Sequence, residues 1–127
     1  LLAWTHPGQA LVRCMPNTPA LVQTGASALF ANSNCTESQR SNAQDLLNAV
    51  GIVCWLDKET DMDAVTALSG SGPAYFFLLI EAMQEAAIAM GLEAKTAELL
   101  CQQTALGAAR LAQSSDVDVA ELRRRVT

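Results

Sequence analysis

A long apolar stretch with a glycine-rich break inside it, Asp61–Gly91, constrains this chain more than any other feature. The stretch contains no Lys or Arg, and Ala64–Ile80 contains no charged residue at all. Apolar side chains cover nearly the whole circumference of the helix expected after the break, and such a helix has to be buried on every side. A chain of 127 residues has little core for this purpose. We therefore expect a partner, either a second copy of the chain or another domain of the same protein.

The break itself, Ser69–Pro73, predicts the end of one helix and the start of another. Proline suits the first position of a helix, so we expect Gly72 to be the N-cap and Gly91 to lie just past the far end. Glycines admit a close backbone or ligand, and free amides at a helix start favour an anion. A kink between two packed helices explains the same residues equally well. A dinucleotide-binding loop does not fit, because it follows a strand and Met62–Leu68 has a helical pattern.

Composition narrows the function. Half of the residues are hydrophobic and 17% are charged, which suits a packed core and not a disordered segment. The net charge of −5, with basic residues scattered except at Arg123–Arg125, argues against nucleic acid as the main partner. We interpret the three arginines as the exposed end of a helix. The best candidate for a membrane span is interrupted at Ser69–Pro73, so none is expected.

The cysteines and the histidine argue against a metal site. Cys14, Cys35, Cys54 and Cys101 lie far apart, and the single histidine, His6, lies in a loop-like Thr-His-Pro-Gly segment. Isolated cysteines of this kind favour buried thiols in a reducing compartment. We expect His6 to be a loop residue and not a catalytic base.

The first half of the chain predicts the element order β-β-α-β. Thr36 and Gln39 fit a capping box at the start of the helix, which we expect to end at Gly51. Asn17 and Thr18 follow the first strand at its C-terminal end, where open α/β sheets bind ligands, or else they form a turn that merely ends the strand. Prolines predict a loop at 16–19. The strands are expected at Leu11–Met15, Ala26–Ala31 and Ile52–Leu56.

Beyond Asp57 every pattern is helical. We expect a short helix capped by Thr60 and Asp63, a long helix from Pro73, and two more helices. These last two are Glu93–Gln113 and one that begins at Asp116 or Asp118. The predicted fold class is an α/β remnant at residues 1–57, followed by an all-α domain at residues 58–127. Because Leu1 opens in mid-pattern without an initiating methionine, we expect a fragment of a longer protein.

Three stretches in a fixed order carry a family resemblance: Arg13–Ala20, Asp63–Tyr75 and Met90–Leu92. With these motifs the chain resembles the C-terminal half of pyrroline-5-carboxylate reductase, the enzyme of the last step of proline biosynthesis. The first two stretches together are specific to that family. The tail Glu121–Thr127 is similar to the entry of the family's signature loop.

The resemblance implies the end of a Rossmann domain that binds NADPH or NADH, then most of a helical dimerisation domain, in a cytoplasmic enzyme. A hydride would pass from the nicotinamide to the C=N bond of pyrroline-5-carboxylate. Dimers would form through interleaved long helices, with further assembly into a ring as an option. The implied cofactor-binding residues are Met15, Pro16, Asn17 and Thr18, and the implied substrate-binding residues are Ser69, Gly70, Ser71 and Gly72.

Two parts of the family pattern are missing from the printed sequence. The glycine-rich phosphate loop is absent, and the substrate loop is expected after Thr127, so no catalytic residue is assigned. We expect this chain alone to be inactive. NADPH and NADH cannot be distinguished, because the residue that contacts the ribose lies upstream. The alternatives are another two-domain NAD(P)-dependent oxidoreductase, acting on a different imine or hydroxy acid, and a non-catalytic helical dimerisation module.

Overall fold

A computed structural model describes residues 5–127. The chain forms two compact units, one ending at Tyr75 and the other beginning at Phe76. This division falls inside a helix, whereas the change in sequence pattern falls at Asp57. The fold class is as predicted, a small sheet followed by helices.

The first unit contains a three-stranded sheet in the order β1-β2-β3. Strand β1 is antiparallel to β2, and β2 is parallel to β3. The central strand has a neighbour on both sides, which is why it contains the buried residues Ser27, Ala28 and Leu29. All three predicted strands are confirmed, with small shifts at their ends. Their bounds are Val12–Met15 for β1, Gly25–Ala31 for β2 and Gly51–Trp55 for β3.

Helix α1, Glu37–Asn48, connects β2 to β3 and begins with the predicted capping box. The Thr36 hydroxyl accepts from the Gln39 amide at 3.3 Å, and the Gln39 side-chain oxygen accepts from the Thr36 amide at 2.9 Å. The prediction that the helix ends at Gly51 was wrong, because Gly51 is already the first residue of β3. There it lies opposite Gly25 in the parallel pair, so the glycine serves the start of the strand and not the end of the helix.

The prediction of a loop at 16–19 was only partly right. A short 3₁₀ helix begins at Thr18 and runs to Val22, with Pro19 in its first turn. Proline is compatible with a first turn because its missing N–H has no helical partner there.

The helical part begins with one path that continues from Glu59 to Ala89. It consists of a 3₁₀ turn (Glu59–Asp61), helix α2 (Met62–Val65), a π-helical turn (Thr66–Gly70, called the π turn below) and helix α3 (Gly72–Ala89). The expected break is present within this path as a change of winding: the π turn ends at Gly70, Ser71 forms a bend, and α3 begins at Gly72. Helix α3 already includes Gly72, so Gly72 is not an N-cap and Pro73 is the second helical residue. Thr60 and Asp63 do not cap α2, whose N-cap position is Asp61.

This continuity also removes the reason for expecting no membrane-spanning helix. The path 59–89 is long and apolar enough to cross a membrane by length and composition, and 6% of its most apolar window is buried within the chain. One such helix is weak evidence for a membrane, since the core helix of a soluble protein passes the same test. The observation does show that this helix lacks cover from its own chain.

The remaining helices are α4, Ala94–Ser114, and α5, Val119–Val126. Gly91 follows α3 with a positive φ of 101°, and the Leu92 amide donates to the Ala87 carbonyl at 3.1 Å, as in a Schellman motif. The carboxylate of Glu93 caps α4, and that of Asp118 caps α5. The predicted end of α3 and the second of the two proposed starts of α5 are confirmed.

Candidate functional site

The side chain of Asn17 connects the two segments that the sequence singled out. Its Oδ1 accepts a hydrogen bond from the Ala26 amide at the start of β2, at 2.9 Å. Its Nδ2 donates to the carbonyl oxygen of Ser69 in the π turn, at 3.1 Å. Residues 52 positions apart in the sequence are thus held at hydrogen-bond distance.

Met15, the last residue of β1, makes a second contact between the same segments. Its Sδ lies 3.6 Å from the position that a Cβ on Gly70 would occupy. At that distance an added methyl group would be in ordinary van der Waals contact with the thioether. Together with the Asn17 bond, this contact places both candidate ligand-binding segments at one end of the sheet.

The π turn has a hydrogen-bond pattern of its own. The Ser71 amide donates to the Thr66 carbonyl at 2.8 Å, five residues back. The hydroxyls of Thr66 and Ser69 also donate to backbone carbonyls, those of Met62 and Val65. Single π turns inside α-helices occur frequently at functional sites. This local winding is the feature of the site that sequence reasoning missed, because no simple residue pattern encodes it.

The hydrogen bonds at the start of α3 bear on the expected anion site. The amide of Ser71 is bonded within the turn, the Ala74 amide donates to the Ser71 carbonyl at 3.0 Å, and Pro73 has no N–H. The amides of Ser71 and Ala74 are therefore already bonded, and the anion site at this helix start stays a prediction.

The other candidate residues lie around this junction. Pro16 and Thr18 are exposed, and so is Ser71. The side chains of Thr18 and Ser71 make no hydrogen bond within residues 5–127, which leaves both hydroxyls available to a ligand. Gly72 is buried, but a Cβ added to it would meet nothing within 4 Å.

Arg13 adds an ion pair that the sequence did not suggest. Its guanidinium lies 3.2 Å from the Glu59 carboxylate, at the start of the helical path. Both side chains are partly exposed, so the pair contributes modestly to stability. Its effect is geometric, because it fixes β1 to the beginning of the same path whose π turn Asn17 contacts.

A separate cavity of about 640 Å³ lies beside α1 and contains none of the candidate residues. The Arg40 guanidinium stacks 4.4 Å from the centre of the Trp55 ring, whose N–H donates to Gln44 at 2.8 Å. These contacts attach α1 to β3. We assign this cavity a structural origin and no role in the site.

The cysteines correct another expectation. Cys101 is buried, Cys14 and Cys35 are half-buried, and Cys54 is exposed; all four are free thiols. Burial raises the pKa of the Cys14 thiol, which keeps it protonated near neutral pH. His6 lies exposed in a turn, as predicted. Within residues 5–127, His, Cys, Asp and Glu form no group of three or more suited to a metal ion.

Comparison with known proteins identifies the helical part. The sequence model for pyrroline-5-carboxylate reductase dimerisation matches residues 59–127, more than half of the chain. The chain belongs to the pyrroline-5-carboxylate reductase dimerisation family. Its relatives within this reductase family include the enzyme of Pseudomonas aeruginosa, 58% identical over 127 residues, and that of Haemophilus influenzae, 52% identical over 120 residues. The chain is fully covered in the first match and 94% covered in the second, but it spans 46% and 44% of those proteins.

Solved structures of reductases agree with this assignment. The pyrroline-5-carboxylate reductase of Coxiella burnetii superimposes with a TM-score of 0.93 at 48% identity, over 98% of this chain and 46% of that one. The Plasmodium falciparum pyrroline carboxylate reductase, solved with NADP bound, gives 0.85 at 36% identity, over 91% and 47%. The family resemblance and the fold class inferred from the sequence are both confirmed.

Proposed function

We propose that the protein containing this chain reduces 1-pyrroline-5-carboxylate to proline with NADPH or NADH. The observation that carries the proposal is the junction at Asn17, which joins the Met15–Thr18 segment to the Ser69–Gly72 segment. Hydride transfer needs the two reacting carbons within about 3.5 Å of each other. A side-chain bridge between the cofactor side and the substrate side supports such an approach.

In this proposal Met15, Pro16, Asn17 and Thr18 lie beside the nicotinamide, and Ser69, Gly70, Ser71 and Gly72 lie beside the substrate. The cofactor, when bound, supplies the hydride. The residues of this chain orient the two molecules and limit the access of water. The exposed hydroxyls of Thr18 and Ser71 are the available hydrogen-bond donors, one on each side. The pyrophosphate is bound by the part of the protein upstream of this chain.

The proposed partner of the helical unit is a second copy of the chain. Four consecutive residues of α3, Phe76–Leu79, are 57–65% exposed, and soluble proteins rarely leave an apolar surface of this kind uncovered. The family assignment supports a homodimer built by the long helices, with a larger assembly as an extension. A dimer also covers the helix without a membrane. We place the enzyme in the cytoplasm, where free thiols persist.

Nucleic acid is not a proposed partner. The net charge is −5. Of the three neighbouring arginines, Arg124 and Arg125 already pair with Glu121 at 2.7 and 3.0 Å. Three neighbouring arginines beside one carboxylate are also far smaller than the broad basic face that a phosphate backbone needs.

The substitution Gly72→Ala in the full-length protein tests the substrate side. The added methyl group meets nothing within 4 Å in this chain, and alanine favours a helix over glycine, so the variant is expected to fold. If a substrate approaches Gly72, its Michaelis constant for pyrroline-5-carboxylate rises by about tenfold, roughly 1.4 kcal/mol of lost binding. The constant for the cofactor changes less, because the nucleotide is held mainly upstream.

Gly107→Ala is the matched control, since it adds the same methyl group to a helix where nothing lies within 4 Å. Residues 1–127 alone are the negative control and are expected to be inactive. Equal kinetics for Gly72→Ala and the wild type would remove these residues from the substrate site. A wild-type protein that oxidises NADPH or NADH with other imines, or that reduces NADP⁺ or NAD⁺ with hydroxy acids, but does not act on pyrroline-5-carboxylate, would refute the proposed reaction itself.

A further inference from the structure

At the end of the π turn, the carbonyl group of Ser69 lacks the amide partner that it would have in a regular helix. In an α-helix the Ser69 carbonyl accepts from the amide four residues ahead, but that residue is Pro73, which has no N–H. The next amide, that of Ala74, donates to the Ser71 carbonyl instead. A backbone carbonyl that loses its partner in a part-buried place costs free energy unless another donor replaces it.

Asn17 supplies the replacement. Its Nδ2 donates to the Ser69 carbonyl at 3.1 Å in a part-buried contact, and its Oδ1 is held by the Ala26 amide at 2.9 Å. The second bond fixes the orientation of the carboxamide, so that the donor end faces the turn. Pro73 in α3 thus removes a hydrogen-bond donor from the Ser69 carbonyl, and Asn17 after β1 supplies one to the same carbonyl.

We propose that Asn17 is a positioning residue, which holds the Ser69–Gly72 segment in place for the substrate and does not use its side chain as a ligand of the cofactor. This inference rests on the proposed function and refines the role of one residue in it. The side chain points between the sheet and the π turn, with both ends bonded to the backbone of the chain. A nicotinamide beside this segment then contacts Met15, Pro16 and Thr18 and not the side chain of Asn17.

The effect of losing the bond is expected to be local. The Arg13–Glu59 ion pair fixes the start of the helical path to β1, and Met62, next to that start, is fully buried. These contacts do not involve Asn17. The glycine-rich end of the path is attached to the start of β2 through the Asn17 side chain.

The test is Asn17→Asp in the full-length protein. Aspartate keeps an acceptor for the Ala26 amide but replaces the donor with a carboxylate oxygen that faces the Ser69 carbonyl. We expect faster amide hydrogen exchange at residues 66–74, by about tenfold, with unchanged exchange in α1. We also expect the Michaelis constant for pyrroline-5-carboxylate to rise by about tenfold, while that for NADPH stays within about twofold.

Asn34→Asp is the matched control, because the exposed Asn34 also donates from Nδ2 to a backbone carbonyl, that of Gln9, at 3.2 Å. It makes the same change of charge away from the site and is expected to leave both constants unchanged. If Asn17→Asp is insoluble, Asn17→Ala removes the same donor without adding charge and is judged by the same measurements.

Two results would overturn the inference. One is unaltered exchange at residues 66–74, and the other is a rise in the constant for NADPH that exceeds the rise for pyrroline-5-carboxylate. The exchange measurement needs no turnover. A wild-type protein without reductase activity would therefore refute the proposed function. Amide hydrogen exchange would still show whether Asn17 holds the π turn in place.

Discussion

The two units of this chain bury their apolar residues in different ways. The unit that ends at Tyr75 has fully buried large side chains, Leu29 at 1% and Met62 at 0% exposure. In the unit that begins at Phe76 the buried hydrophobic residues are the small ones, Ala87, Ala97 and Cys101, while the large ones of α3 are exposed. The first unit has the beginning of its own core. The second has the composition of a core but lacks a second layer to complete it.

The difference follows from the elements. A central strand such as β2 obtains neighbours on both sides from the sheet itself, so its residues are covered within the chain. A helix that is apolar on every side needs other helices around it. We therefore expect the stability of the helical unit to depend on assembly with a partner. We expect the stability of the sheet unit to depend on the backbone geometry of its own strands. Each of the following predictions tests one side of this contrast.

The largest effect is expected from Leu78→Asp in α3. Leu78 is exposed here and is covered by the partner in the proposed dimer. A buried, unpaired carboxylate is costly, so assembly of the full-length protein should weaken by about 100-fold or more. Light scattering coupled to size exclusion at low micromolar concentration measures this change.

The control for assembly is Asn42→Asp, which places the same new charge on exposed α1 in the sheet unit. It is expected to leave the oligomer intact. A Leu78→Asp protein with the same mass in solution as the wild type would show that α3 is not the interface.

The second effect concerns Gly51→Ala in the sheet unit. Gly51 has a φ of +156°, and an added Cβ would overlap the backbone of Gly25 on the neighbouring strand. Backbone cannot move aside without separating β2 from β3, so we expect a loss of roughly 3 kcal/mol or more in the free energy of unfolding. Denaturant unfolding of the full-length protein, with the sheet unit followed by Trp55 fluorescence, measures it.

Gly107→Ala makes the same chemical change in the helical unit, and here we expect the free energy of unfolding to rise instead of fall. Nothing lies within 4 Å of the added methyl group, and alanine stabilises a helix by up to about 1 kcal/mol relative to glycine. A clear destabilisation by Gly107→Ala would mean that another chain approaches α4 closely at this point. Equal effects at Gly51 and Gly107 would contradict the contrast between the units.

The smallest effects are expected at the helix N-caps. The neutral capping box at Thr36 does not titrate, and Thr36→Ala should cost about 1 kcal/mol at any pH. The Glu93 carboxylate accepts from the amides of Lys95 and Thr96, and these bonds lower its pKa. A lowered pKa in the folded state stabilises the fold above the ordinary pKa, and this contribution disappears as the pH falls through the lowered value.

Glu93→Ala should therefore reduce the melting temperature near pH 7 and have little effect near pH 3, whereas Thr36→Ala should act at both. Thermal unfolding at the two pH values provides the comparison. A Glu93→Ala penalty that persists undiminished in acid would show that the side chain contributes through packing and not through its charge.

Much of the fold was predictable because its signals are local. The three strands, the Thr36 capping box, the Asp118 cap and the end of α3 at Gly91 all depend on residues within a few positions of one another. The predicted break at Ser69–Pro73 is present, as a change of winding within one helical path. Glycine and proline disfavour a regular helix, but the sequence did not indicate that a π turn ends here before α3 begins.

The candidate site was half predictable. Both segments were singled out through the family resemblance, which places them on the two sides of the hydride transfer, but nothing in the sequence identified the side chain that connects them. Their contact depends on Asn17 and Met15, which follow one strand, and on Ser69 and Gly70, more than fifty positions later. The ligand roles of these residues stay predictions.

The sequence by itself determined the family, the order of the elements and the need of α3 for a partner, because these follow from motifs, periodicity and composition. Only the tertiary structure decided that a π turn leads into α3 at Ser69–Pro73 and that Asn17 supplies the donor that Pro73 lacks. The physical reason is that a missing hydrogen bond can be identified in the sequence, whereas the group that replaces it is chosen by the folding of distant segments against each other.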